Sequence, residues 1–149
     1  MSTTTTTSTT TTSSSTRPAI TFAAEHVAWQ ASDPVAVAAW YVKHLGFEIV
    51  RQGPAPVHMH FIADATRRLV IEIYKNPQAS VPDYHTWNPL HLHVAFAVEN
   101  PAAACDHLLS NGATLDAALE DLPNGDQIIM LRDPWGFAVQ ILKRARPML

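Results

Sequence analysis

The sequence predicts an α+β fold of two βαβββ modules, from an internal repeat, two chemically marked helix starts and three strand candidates after each helix. The repeat pairs "HVAWQASDP" at 26–34 with "HVAFAVENP" at 93–101, keeping His-Val-Ala-aromatic and then Asp or Asn before Pro at one offset. Each copy reads as a strand leading into a helix.

Side chains alternate across a strand, so His26, Ala28 and Gln30 share one face opposite Val27 and Trp29. In the second copy His91, His93, Ala95 and Ala97 oppose Leu92, Val94, Phe96 and Val98. One face is bulky and apolar; the other is narrow and carries imidazoles. Asp33 and Asn100 suit N-caps because a short side-chain oxygen can accept from an unpaired first-turn amide, and Pro34 and Pro101 suit N1, where no amide partner is lost. The spacing predicts helices over 34–45 and 101–111, burying Val37, Trp40, Tyr41 and Leu45 in one and Ala104, Cys105, Leu108 and Leu109 in the other. Gly46 and Gly112 stand where a helix can close.

Strands are expected at 47–52, 57–63 and 68–75, and again at 113–118, 126–131 and 137–143, with "ADATRR" and "RDPWG" as connecting turns. The stretch 76–90 has three prolines and no clean period, which makes it a linker between modules 20–76 and 91–146 or a loop over a site.

Composition bounds the rest. A chain of 149 residues with 47% hydrophobic residues supports one domain, placed at 20–146. Net charge of −3 offers no electrostatic case for nucleic acid or an anionic membrane, so small molecules and copies of the chain are the expected partners. The lone Cys105 excludes an intrachain disulfide and a cysteine-rich metal site, and it reads as core filling; a reducing, cytoplasmic setting is expected. No run reaches the roughly 18 residues a membrane helix needs. Residues 2–16 are all Ser or Thr, too polar to offset their ordering entropy, and 1–19 is expected to be a disordered tail.

The chemistry lies on the narrow face. In "RRLVIEIYK", Glu72 sits between two isoleucines of an expected central strand, and a carboxylate there needs a hydrogen bond, a cation or a metal. The matching position in "FAVQILK" is Gln140. His26 precedes Glu72 by 46 residues and His93 precedes Gln140 by 47, so pseudo-symmetry would gather two imidazoles and two oxygen donors. Such a set suits Zn, Ni, Fe or Mn. Taken alone, His26 and His93 read first as hydrogen-bonded core histidines, and their repeated positions turn the reading to ligation; Glu72 is also readable as an edge carboxylate, and Gln140 as a partner of water or substrate. His58, His60, His91, Tyr84 and His85 are further candidates for lining a cavity, whereas Trp29 and Trp40 read as packing residues.

"EHVAWQASDPVAVAAWYVKHLGF", "LVIEIY", "HLHVAFAV" and "LRDPWGFAVQIL", in that order over residues 20–146, resemble the glyoxalase, bleomycin-resistance and extradiol-dioxygenase superfamily, the vicinal oxygen chelate fold. The resemblance implies paired modules curled into an open, barrel-like cup, a homodimer, and a divalent metal ion held by His26, Glu72, His93 and Gln140. It implies a metal-dependent lyase or isomerase of glyoxalase type acting on a small substrate with vicinal oxygens, with Glu72 as ligand and proton shuttle. A ring-cleaving extradiol-type dioxygenase using His26, His93 and Glu72 is the second enzyme reading, and a non-catalytic resistance protein that sequesters a small molecule is the third. Gln140 departs from the glutamate that glyoxalases of this type and extradiol dioxygenases carry at the last position, which removes one candidate base.

Overall fold

The computed structural model describes residues 20–148, so the expected Ser/Thr tail lies outside the described residues. The first module runs β1 (Val27–Gln30), α1 (Pro34–Leu45), β2 (Glu48–Gln52), β3 (His60–Ala63) and β4 (Val70–Tyr74). The second repeats it with β5 (Val94–Ala97), α2 (Pro101–Leu109), β6 (Thr114–Asp121), β7 (Gln127–Arg132) and β8 (Ala138–Lys143). Each module is a four-stranded sheet, ordered β1-β4-β3-β2 and β5-β8-β7-β6, with β1 parallel to β4 and β5 parallel to β8. These are the two βαβββ units of an open vicinal oxygen chelate fold.

The helix starts follow the cap chemistry. Asp33 accepts from the Ala36 amide at 3.0 Å and Asn100 from the Ala103 amide at 3.1 Å, each with Pro inside the first turn. Gly46 closes α1 in the left-handed region at φ 73°. The second helix ends at Leu109, short of the expected 111. Asn111 Nδ2 donates to the His107 carbonyl at 2.7 Å, and the Asn111 carbonyl accepts from Trp40 Nε1 at 2.8 Å, so that residue ties α2 to α1.

One core serves both modules. It joins Trp29, Val37, Tyr41, Ile62, Ile71 and Ile73 of the first to Leu108, Ile129, Leu131, Phe137, Val139 and Ile141 of the second, and Cys105 fills it as expected. Trp29 stacks on Phe137 with ring centroids 4.1 Å apart and planes within 9° of parallel. Phe47 meets Phe96 edge-on at 5.7 Å. Each sheet therefore turns its bulky face inward, helix side first, and its narrow face outward.

Several local expectations are corrected. Strand β3 begins at His60, not residue 57, because 55–57 form a turn and His58 adopts φ 46°. His60 pairs with Ile73 on the core side and is buried, with Nδ1 2.7 Å from the His58 carbonyl, so it lines no open face. Strand β5 begins at Val94, and the His91 amide closes a turn on the Asn88 carbonyl at 2.9 Å; His91 therefore shares no strand face with His93.

The connector 76–90 is an ordered strap. Gln30 holds its start, donating to the Ala79 and Ser80 carbonyls at 3.3 and 3.4 Å and accepting from the Asn76 amide at 2.8 Å. Tyr84 is buried and donates to the Gln30 carbonyl at 2.9 Å, so it is a packing residue here and not a free lid. Arg132 pins the far end, donating to the Tyr84 and Trp87 carbonyls at 2.8 and 2.9 Å while its Nε donates to Asp116 at 2.8 Å. The strap lies so close to the turn after β7 that a Cβ on Gly136, at φ 88°, would stand 2.7 Å from the His85 ring and its backbone nitrogen. Gly136→Ala combines that overlap with an unfavourable φ. It is expected to cost on the order of 2 kcal/mol, read as a lowered denaturant midpoint, and an unchanged midpoint would mean the strap does not rest on this glycine.

Two aspartates repeat in the β3–β4 and β7–β8 turns. Asp64 Oδ1 accepts from the Arg68 and Leu69 amides at 3.1 and 3.0 Å, and Asp133 Oδ1 accepts from the Trp135 and Phe137 amides, each at 2.9 Å. Asp133 also receives the Tyr41 hydroxyl at 3.2 Å. Burial pushes its carboxyl up to about 6, against the lowering pull of those donors. The folded chain therefore binds this proton more tightly than the unfolded chain does. Asp133 should lose about 3 kcal/mol of stabilising contribution as pH rises from about 4 to about 6, with no further change above. Chemical denaturation across that window is expected to show the decline in the wild type and a flatter profile in Asp133→Asn.

Candidate metal centre

Parallel pairing of β1 with β4 sets Ala28 opposite Glu72, which leaves His26, two residues earlier on the same face, diagonal to that carboxylate. The result is an imidazole Nε2 3.4 Å from Glu72 Oε2. Glu72 occupies the outward face while Ile71 and Ile73 point into the core, and its side chain stays 22% exposed. Strand alternation thus answers the burial problem that its apolar neighbours raise, without requiring a cation.

His26 Nδ1 donates to the Glu25 carboxylate. That hydrogen bond is the chief reason the imidazole is held above its ordinary value; partial desolvation opposes it, and the charges of Glu25 and Glu72 add to it. The Phe61 ring stands edge-on to His26 at 5.2 Å, completing one wall of the face. Nuclear magnetic resonance titration of the metal-free protein should place the His26 midpoint above 6.5, with Glu25→Ala moving it down. An unmoved midpoint in that variant would remove Glu25 as the cause.

The second module repeats the plan. Ala95 pairs with Gln140, and strand alternation carried back to His93, one residue before β5, assigns it to the Gln140 side of the second sheet. His93 Nδ1 donates to the Pro89 carbonyl at 2.9 Å. In both imidazoles Nδ1 is committed and Nε2 is left as the donor nitrogen, the arrangement that orients a metal-binding histidine.

The structure brings His26 and Glu72 together and does not bring His93 to them. Among the described residues no three His, Cys, Asp or Glu side chains stand close enough to share a metal ion. The cause is the shared core: each half-set lies on the face its sheet turns away from the other module. A cavity of about 340 Å³ does lie between the strap and the 133–137 turn, lined by Trp29, Tyr84, His85, Asp133, Trp135 and Phe137. It takes in neither His26 nor Glu72.

Sequence reasoning passed over two neighbours of the first half-set. Glu25 directly precedes the repeated histidine and has no counterpart in the second copy, where Leu92 precedes His93. Arg51 reaches over the Phe61 ring, its guanidinium carbon 5.9 Å from the centroid. No pattern in the sequence marks it, because its place depends on a strand irregularity.

Comparison with known proteins agrees with this architecture. Residues 23–141 match the family described as Glyoxalase/Bleomycin resistance protein/Dioxygenase superfamily. A lactoylglutathione lyase of Salmonella typhimurium is 26% identical over 124 residues, covering 79% of this chain and 90% of that protein. The solved glyoxalase family protein from Enterococcus faecalis superposes with TM-score 0.63 at 26% identity, covering 79% of this chain and 94% of that one. A glyoxalase family protein from Bacillus cereus superposes with TM-score 0.70 at 13% identity, over 87% of this chain and 97% of that one, a likeness of fold alone. Among the described residues no helix is long and apolar enough to cross a membrane.

Proposed function

The chain belongs to the Glyoxalase/Bleomycin resistance protein/Dioxygenase superfamily, and from that premise we propose that it is a divalent-metal-dependent lyase or isomerase acting on a small molecule with vicinal oxygens. The observation that carries the reading is the His26–Glu72 pair on an outward sheet face, with imidazole Nε2 turned to the carboxylate and Nδ1 held by Glu25. The donor chemistry fits a divalent ion. Two neutral imidazoles, one carboxylate and one carboxamide suit Zn, Ni, Fe or Mn. The likeness to proteins named lactoylglutathione lyase favours isomerisation or lyase chemistry over ring cleavage.

Four donors on two diverging faces make a complete set only when two copies meet, so the proposed enzyme is a homodimer with two sites. Each site takes His26 and Glu72 from one copy and His93 and Gln140 from the other. Exposed apolar side chains accord with burial against a second copy, among them Leu90 at 79%, Leu92 at 47% and Leu115 at 50%.

A divalent ion held by His26, Glu72, His93 and Gln140 would supply Lewis-acid polarisation of two adjacent substrate oxygens. The chain's residues do the rest. His26 and His93 hold the site through Nε2, each oriented by the acceptor on its Nδ1. Glu72 takes a proton from the hydroxyl-bearing carbon and returns it to the adjacent carbonyl carbon, while the hydroxyl proton passes to the neighbouring oxygen, so hydroxyl and carbonyl exchange places and the net change is an isomerisation. Gln140 is neutral, keeps the site one charge less negative than a two-carboxylate set, and leaves proton transfer to Glu72.

Metal content of untagged protein tests this. The wild type is expected to hold close to one ion per chain, and Glu72→Ala or His93→Ala alone close to none. Mixing the two variants and allowing subunit exchange should restore about a quarter of wild-type occupancy, because only mixed dimers regain one intact site. No recovery on mixing, with each variant still folded, would sink the two-copy arrangement. Undiminished metal in Glu72→Ala would sink the site itself.

A further inference from the structure

Strict alternation along β2 would set Val50 opposite Phe61 and send Arg51 to the core side with Ile49, which faces Ile62. The pairing instead skips Val50: Ile49 stands opposite Ile62 and Arg51 opposite Phe61. A β-bulge at Val50 thus returns Arg51 to the outward face, in the manner by which bulges re-aim side chains. Arg51, Phe61, Glu72 and Ala28 then form one continuous row across four strands, with His26 at its end.

The row has a definite chemistry. The guanidinium carbon stands over the Phe61 ring 5.9 Å from its centroid, and that ring makes a T-shaped contact with the His26 imidazole at 5.2 Å. Adjacent strands lie about 4.8 Å apart, so the backbone of Arg51 is two spacings, about 10 Å, from that of Glu72. Arg67 is neutralised by Glu48 at 2.7 Å and Arg132 by Asp116 at 2.8 Å, whereas no carboxylate partner of Arg51 is present among the described residues. The matching row of the second module is Ala95, Gln140, Met130 and Ala117, which carries no charge.

We propose that Arg51 is a specificity-determining residue that receives a carboxylate on the substrate, so that this site selects small vicinal-oxygen molecules bearing an anionic arm. The inference rests on the metal-site reading and deepens it. The vicinal oxygens bind beside Glu72 and His26, the body of the molecule lies along Phe61, and the carboxylate meets the guanidinium. Arginine suits this task because its planar donor fork matches a carboxylate and remains charged at any working pH. The alternative role for Arg51 is a solvated charge that protects β2, an edge strand of its sheet. In that role it would not discriminate between ligands.

Binding to the zinc-loaded full chain separates these roles without requiring turnover. The probes are catechol, which offers two adjacent oxygens and no anion, and 3,4-dihydroxyphenylacetate, which adds a carboxylate arm. Calorimetry is expected to show the anionic probe binding about tenfold more tightly to the wild type, a preference that shrinks at high salt. Arg51→Ala should erase that preference and leave catechol binding unchanged, Arg51→Lys should retain part of it, and Arg67→Ala should keep it whole. If the wild type holds both probes equally, or Arg51→Ala keeps the wild-type ratio, the role of Arg51 is overturned and the metal site stands. If the zinc-loaded protein holds neither probe, the metal-site reading fails and this inference falls with it.

Discussion

The stacked pair of Trp29 on Phe137 is the contact on which the arrangement of this molecule depends. It joins the inward faces of two sheets that would otherwise each bury only a helix, and Tyr41 reinforces it by donating to Asp133 across the same junction. Large aromatic side chains bury 150–250 Å² apiece, so a module lacking its partner would expose a substantial apolar area. A sheet has two faces. Once the bulky face is committed to the common core, the narrow face with its imidazoles and oxygen donors must lie outside.

That geometry explains both what is assembled within the chain and what is not. His26 and Glu72 meet because parallel pairing of β1 with β4 puts them on one diagonal, a relation internal to one module. In the other module Gln140 holds the equivalent register position, opposite Ala95, two residues after His93. Nothing internal to either module sets the distance between the two pairs, which is governed by packing at the core and, in the proposed enzyme, by how a second copy docks.

The strap performs a related task at the end of β1. Gln30 and Tyr84 tie residues 76–84 to the strand that carries His26, and Arg132 ties residues 84–87 to the second sheet. The two modules are therefore cross-linked at the strand ends as well as through the core. Close approach of His85 to Gly136 shows how little clearance the crossing has.

Much of this is legible in the amino-acid sequence. The repeat, the Asp-Pro and Asn-Pro helix starts, the strand candidates and the separation of the imidazole-bearing face from the bulky apolar face all follow from local rules, because capping and alternation depend on neighbours a few residues away. Three features were not legible. The bulge at Val50 inverts the facing of Arg51, and alternation alone would have sent it inward. The order in the strap comes from hydrogen bonds spanning about fifty residues, such as Gln30 to Ser80 and Arg132 to Trp87, which leave no periodic trace. The division of the four donors into two pairs was hidden by the same symmetry that revealed them, since a repeat shows that two half-sites are alike and not which way they point. The sequence by itself determined the modules and the chemistry of their outward faces; the tertiary structure decided that those faces diverge, because the apolar sides of both sheets share one core.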